Sequence, residues 1–249
     1  MDEFRDEVNK IKDAPLKERI AYYTYYYKWH VISVVVGVWI ISSLVYSSLT
    51  SKEVAFCAFL INALQVEEGK GELETRLIEG TAIDLDKESL LLDATIYMDY
   101  AVQDMNFISY QQKLSVMMGA SEIDMVITDY TTFSNLCMSE MFLDLQTLMT
   151  EEEIAMYEPY FYYIDAQYFA QRDALLSSGE ISYEFPEYNA REKEGMAEPM
   201  AIGIVLSEDS PLLEEYAFIE KDVVAGVVVN SRRLDRTQYF LDMLLESNE

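Results

Sequence analysis

Residues 54–61 read VAFCAFLI, an apolar run with no polar break. Successive side chains of a strand point to opposite faces, so a strand with one face in water alternates apolar with polar residues. An unbroken run therefore predicts a strand covered on both faces, as in a largely parallel sheet. Four more runs of this kind follow: residues 94–98 (ATIYM), 125–128 (MVIT), 201–206 (AIGIVL) and 223–229 (VVAGVVV). Between them lie helical patterns. Phe107, Tyr110, Leu114, Met117 and Met118 fall on one helical face, and Gly119 supplies a stop. After the last run, Ser231 is placed to cap a helix whose Leu234, Leu241, Leu244 and Leu245 form a stripe. Alternating strands and helices are an α/β signature, and only 9 Gly and 5 Pro argue against a turn-dense all-β chain. The aromatic stretch Tyr157, Tyr160, Phe161, Tyr162, Tyr163, Tyr168 and Phe169 breaks this rhythm and reads as a crossing into a second packing unit.

Upstream of the first strand, 23 residues between Lys28 and Lys52 carry no charge. At about 1.5 Å per residue they reach about 34 Å, enough to cross a hydrocarbon core of about 30 Å. Residues 31–49 are therefore read as a transmembrane helix in contact with the lipid bilayer. Trp29 with Tyr22, Tyr23, Tyr25, Tyr26 and Tyr27 supplies the rings of an interfacial belt. Lys10, Lys12, Lys17, Arg19 and Lys28 precede the span and Lys52 alone follows it closely, which places residues 1–30 in the cytoplasm. The long basic leader and long apolar run favour an uncleaved signal anchor, with Val45 and Ser47 as a poor cleavage site. Within the span, Ser33 and Gly37 form one small-residue pair, a weak dimerisation signal.

The chain holds 45 acidic and 18 basic residues, a formal charge of −27. Residues 1–30 are balanced, so the whole excess belongs to residues 53–249, read as an extracellular α/β domain. Such a charge opposes nucleic-acid binding. His30, at the inner edge of the span, is the one histidine, so the domain beyond has no imidazole for a nucleophilic triad or a His-containing zinc site. Cys57 and Cys137 make no C-x-x-C; they either pair in an oxidising exterior or are two inert buried thiols. Asp84, Asp86 and Glu88 have the spacing of hard-cation ligands but lack the glycine of an EF-hand loop. The acidic runs at 151–153 and 208–209 suit helix starts. The expectation is a non-enzymatic domain without metal or cofactor.

Three segments carry a family resemblance. The helix ending at Met118-Gly119, the stretch EIDMVITD at 122–129, Phe133, Leu136 and FLDL at 142–145 form the first; AIGIVL at 201–206 is the second. The third is Val227, Val228, Val229, Asn230 and Ser231 with Tyr239, Phe240, Leu241 and Leu244. Together they resemble the extracellular solute-binding proteins of bacterial transporters, which have the type 2 periplasmic-binding fold. The anchored leader resembles uncharacterised membrane proteins of anaerobic Gram-positive bacteria. The resemblance implies a reduced two-lobe domain, lobe one at about 53–145 and 224–249 and lobe two at about 146–223, with ligand in the cleft between. It also implies ligand contacts at Asn62, Thr128, Asp129, Tyr130, Asn230 and Ser231. Asp129 is equally placed to cap the next helix and Asn230 to form a turn. Departures are the retained anchor, the short second lobe and the lack of Trp beyond the span.

Two functional expectations follow. One is a membrane-anchored, non-catalytic protein that binds a small molecule for transport or sensing. The alternative is a membrane-anchored interaction or assembly module with a vestigial cleft, for which the aromatic stretch at 157–169 would be the partner surface.

Overall fold

The structure is a computed structural model that describes residues 15–50, 52–66, 71–102, 104–178 and 189–246. Lys10 and Lys12, and the side chains of Tyr22, Tyr23, Tyr26 and Tyr27, lie outside the described residues. The chain divides into two units, Met1–Lys52 and Glu53–Glu249. In the first, helix α1 (Leu16–Thr50) starts directly after Pro15, which has no amide to leave unsatisfied. Its segment Lys28–Ser47 is long and apolar enough to cross a membrane, with none of its most apolar window buried.

The second unit is mixed α/β and is built on a six-stranded sheet. In chain order come β1 (Glu53–Leu60), β2 (Ala63–Gln65), α2 (Glu72–Thr81), β3 (Glu88–Asp93), α3 (Met105–Gly119), β4 (Met125–Asp129) and α4 (Tyr130–Leu136). Then follow α5 (Glu151–Tyr157), β5 (Phe161–Asp165), α6 (Ala166–Ser178), β6 (Pro199–Val205), α7 (Pro211–Glu215), β7 (Tyr216–Phe218), β8 (Val223–Val227) and α8 (Leu234–Leu245). The sheet order is β3-β1-β4-β8-β6-β5, and β2 pairs with β7 separately. β3, β1 and β4 run parallel, whereas β8 is antiparallel to both β4 and β6, and β6 to β5. The sheet is thus parallel in one half only.

Unbroken apolar runs are explained by cover on both faces. Along β1, Phe56, Ala58 and Leu60 pack in one core with Leu73 and Leu77 of α2 and Phe240 and Leu244 of α8. Cys57, Phe59 and Ile61 pack in a second core with Phe107 and Leu114 of α3 and Phe133 of α4. Phe133 stacks on Phe142 with ring centres 4.4 Å apart. These rings lie directly on Gly226 of β8, where a Cβ would stand 2.6 Å from Phe142 Cδ1 and 2.8 Å from Phe133 Cε2. Only a glycine lets them approach so closely.

Four expected strands appear at β1, β4, β6 and β8; of the α3 stripe, Phe107 and Leu114 are buried and Tyr110, Met117 and Met118 partly so. Residues 94–98, expected as a strand, instead follow β3 as an extended segment outside the ladder. There Ile96 and Met98 turn inward while Tyr97 is exposed. The aromatic stretch is not a crossing: Phe161, Tyr162, Tyr163 and Ile164 form β5 and are buried. β5 and β6, both within the span expected as lobe two, are hydrogen-bonded into the same sheet as β1, β4 and β8. Helix α5 begins at the acidic run, where Thr150 and Glu153 form a reciprocal capping box. Helix α7 begins at Pro211, two positions after Asp209. Ser231 does not cap α8, which starts at Leu234.

Candidate functional site

The parallel half of the sheet has a topological switch. From β1 the chain passes through α2 to β3 on one side, then through α3 to β4 on the other side of β1. Right-handed crossovers in opposite directions put α2 and α3 on opposite faces, and the two cores confirm that placement. The connections therefore diverge at the carboxyl ends of β1 and β4, leaving a crevice where open α/β sheets hold ligands.

A cleft of about 270 Å³ lies there, lined by Asn62, Tyr97, Met98, Asp99, Tyr100, Ala101, Asp129, Thr131, Thr132, Ile219 and Glu220. Its floor is a polar latch. Asn62, just past β1, adopts a left-handed backbone with φ 61°, which asparagine tolerates better than most residues. Its Nδ2 donates to Asp129 Oδ2 at 2.8 Å, Thr132 Oγ1 at 2.9 Å and Met98 O at 3.0 Å, and its Oδ1 accepts from Met98 N at 2.7 Å. The Asn62 amide also donates to Ile96 O. One side chain thus holds the 94–98 segment against β1 and explains why that segment needs no ladder.

Asp129, 3% exposed, ends β4 and caps α4: its Oδ1 accepts from Thr132 N at 2.9 Å. Thr128 Oγ1 reaches Asp129 Oδ2 at 3.4 Å. The rim comes from elsewhere. Glu220 accepts from Thr131 N at 3.2 Å and Asp99 from Ala101 N at 2.8 Å. Burial pushes the Tyr100 phenol up to about 12, so the ring stays neutral. Two further clefts adjoin: one of about 290 Å³ toward Asp104 and Tyr110, one of about 400 Å³ toward Leu64 and Phe218. Tyr97 lines all three.

Of the six sequence-expected residues, Asn62 and Asp129 line the cleft and Thr128 supports it from below. Tyr130 packs on Tyr162, ring centres 5.2 Å apart, and is not among the lining residues. Asn230 and Ser231 lie at the other end of the sheet, because β8 is antiparallel and its carboxyl end meets the start of β4 through Met125 and Val227. There Asn230 Nδ2 donates to Met118 O, and Ser231 Oγ to Asp124 Oδ1 at 2.6 Å. Asp124 is fully buried and paired with Arg233, whose Nε donates at 2.9 and 3.0 Å. The Cys57 amide also donates to it at 2.9 Å.

Tyr97, Asp99, Tyr100, Thr132 and Glu220 were not singled out by sequence. Thr132 alone carried a local signal, three residues after a capping Asp. Cys57 and Cys137 are free and buried, and burial pushes both thiols up to about 12, away from thiolate reactivity. Asp84 pairs with Lys87 at 2.7 Å and Glu88 with Arg236 at 2.8 Å. Among the described residues, no three potential metal ligands converge. Comparison with protein-family models, curated proteins and solved structures finds no match to this chain.

Proposed function

We propose that the Glu53–Glu249 unit is a non-catalytic ligand-binding domain, tethered by α1 as a single-pass anchor with the acidic domain outside and the amino terminus cytoplasmic. The observation that carries this reading is the cleft at the switch point of β1 and β4, floored by Asn62 and Asp129. In relation to the solute-binding proteins that the chain resembles, this is a reduced form, with ligand on the carboxyl edge of one sheet. A second reading, an interaction or assembly module, draws on the exposed Leu64, Val102 and Ile219, which border the same group of clefts.

Thermal unfolding of the full chain in micelles, screened against sugars, amino acids, peptides, amines and divalent ions, tests the binding. A ligand at about a hundred times its Kd stabilises by about 2.7 kcal/mol. That stabilisation disappears in Tyr97→Ala, and a flat response across the panel overturns the reading in favour of the interaction module. Protease added to intact cells tests the placement: the carboxyl-terminal domain is digested, and its survival overturns the outside location.

A further inference from the structure

The ionisable groups of the cleft are of one acidic kind. Asp99, Asp129 and Glu220 line it with Tyr97 and Tyr100, and among the described residues no Lys or Arg lines it. Asp129 is 3% exposed, yet the hydrogen bonds it accepts come from neutral groups of Asn62, Thr128 and Thr132. Two other buried carboxylates meet a cation, Asp124 with Arg233 and Asp93 with Lys113, whereas Glu215 accepts from the backbone amides of Gly71 and Leu73. Unlike Glu215, Asp129 lines the cleft, so an incoming positive charge meets there a carboxylate held by neutral donors. Tyr97, 55% exposed, borders the cleft together with its apolar neighbour toward Leu64 and Phe218. A tyrosine ring beside carboxylates suits an alkylammonium head, which takes both Coulomb attraction and the negative face of the ring. The cleft volume of about 270 Å³ far exceeds a bare metal ion, and no metal-holding cluster is present among the described residues.

We propose that the cleft binds a small organic cation, with its ammonium head among Asp99, Asp129 and Glu220 beside Tyr97 and its apolar stem toward Ile219, Phe218 and Leu64. The proposal deepens the ligand-binding reading above and rests on it.

Calorimetric titration of the full chain in maltoside micelles, which carry no ammonium group, tests it with four probes. These are choline, its neutral carbon isostere dimethylbutanol, butylamine and butyrate. Choline and butylamine bind, and dimethylbutanol binds at least about tenfold more weakly. Asp99→Asn and Glu220→Gln each keep an acceptor oxygen for the local backbone amide. Each weakens the cations about fivefold or more at low salt and leaves dimethylbutanol unchanged. Equal binding of choline and its isostere, or preference for butyrate, overturns the cationic class. If Tyr97→Ala abolishes that binding, the cleft survives as a ligand site. Silence of all four probes also overturns the cationic class, and the ligand-binding reading falls with it only if the wider thermal panel is flat as well.

Discussion

β4 carries a buried aspartate at each end, and the two are treated oppositely. Asp124, just before the strand, is fully buried and receives the Arg233 guanidinium, the Ser231 hydroxyl and the Cys57 amide. Asp129, closing the strand, is nearly as buried but receives only neutral donors and borders an open cleft. In the sequence the two bracket the same short apolar run and look alike. The difference is made by partners brought from far along the chain. α8 follows the antiparallel β8 and delivers Arg233 to the amino end of β4, while the turn after β1 delivers Asn62 to the carboxyl end. One end is a closed electrostatic staple; the other leaves its carboxylate to neutral donors at the wall of the cleft.

Removing each carboxylate tests this contrast. Asp124→Ala strands Arg233, only 17% exposed in its side chain, and the Cys57 amide, and it lowers unfolding free energy by about 3–5 kcal/mol. Asp129→Asn is milder, costing about 1 kcal/mol, because asparagine keeps an acceptor for Thr132 N and serves equally as a cap. Its cost arises where the new amide meets Asn62 Nδ2 as donor against donor. Urea midpoints of the two variants measure both losses, and equal losses would show that the two ends play the same structural role.

Much of the sheet was legible because full burial writes itself into sequence as an unbroken apolar run. β1, β4, β6 and β8 are interior strands and were found. β3 and β5 are the edges and were not. β3 reads ESLLLD with partial exposure, and β5 reads FYYID, whose tyrosines looked like an interface. Strand direction leaves no local trace, and that single omission moved Asn230 and Ser231 to the wrong end of the sheet relative to Asn62. Asn62 and Asp129 were legible as cleft-lining residues because they stand where β1 and β4 end. Tyr97 and Asp99 were hidden because residues 94–98 read as one more unbroken strand run while Asn62 holds them outside the ladder. Glu220 arrives with Ile219 from the link between β7 and β8, distant in sequence from the lining residues that follow β1, β3 and β4.

Asp93 offers the finest test of the contrast, since it also ends a parallel strand but is matched by a cation. Burial raises its carboxyl, yet hydrogen bonds from Lys113 Nζ at 2.6 Å and from Thr95 outweigh burial and hold it below its ordinary value. The folded protein therefore takes up this proton less readily than the unfolded chain. The stability it contributes is present above the unfolded value, near 4, and is lost as pH falls through the folded one. Asp165, held down by the amides of Ala197, Glu198 and Gln167, acts in the same direction, whereas burial raises Asp242 and opposes them. Lys113 is 39% exposed in its side chain, so solvent screens the pair and its share stays below about 1 kcal/mol. Asp93→Asn should accordingly flatten, without abolishing, the fall in urea midpoint on acidification from about pH 6 to pH 3. An unchanged slope would mean that Lys113 compensates Asp93 no better than the neutral donors compensate Asp129, and the distinction between matched and unmatched strand ends would fail at this edge of the sheet.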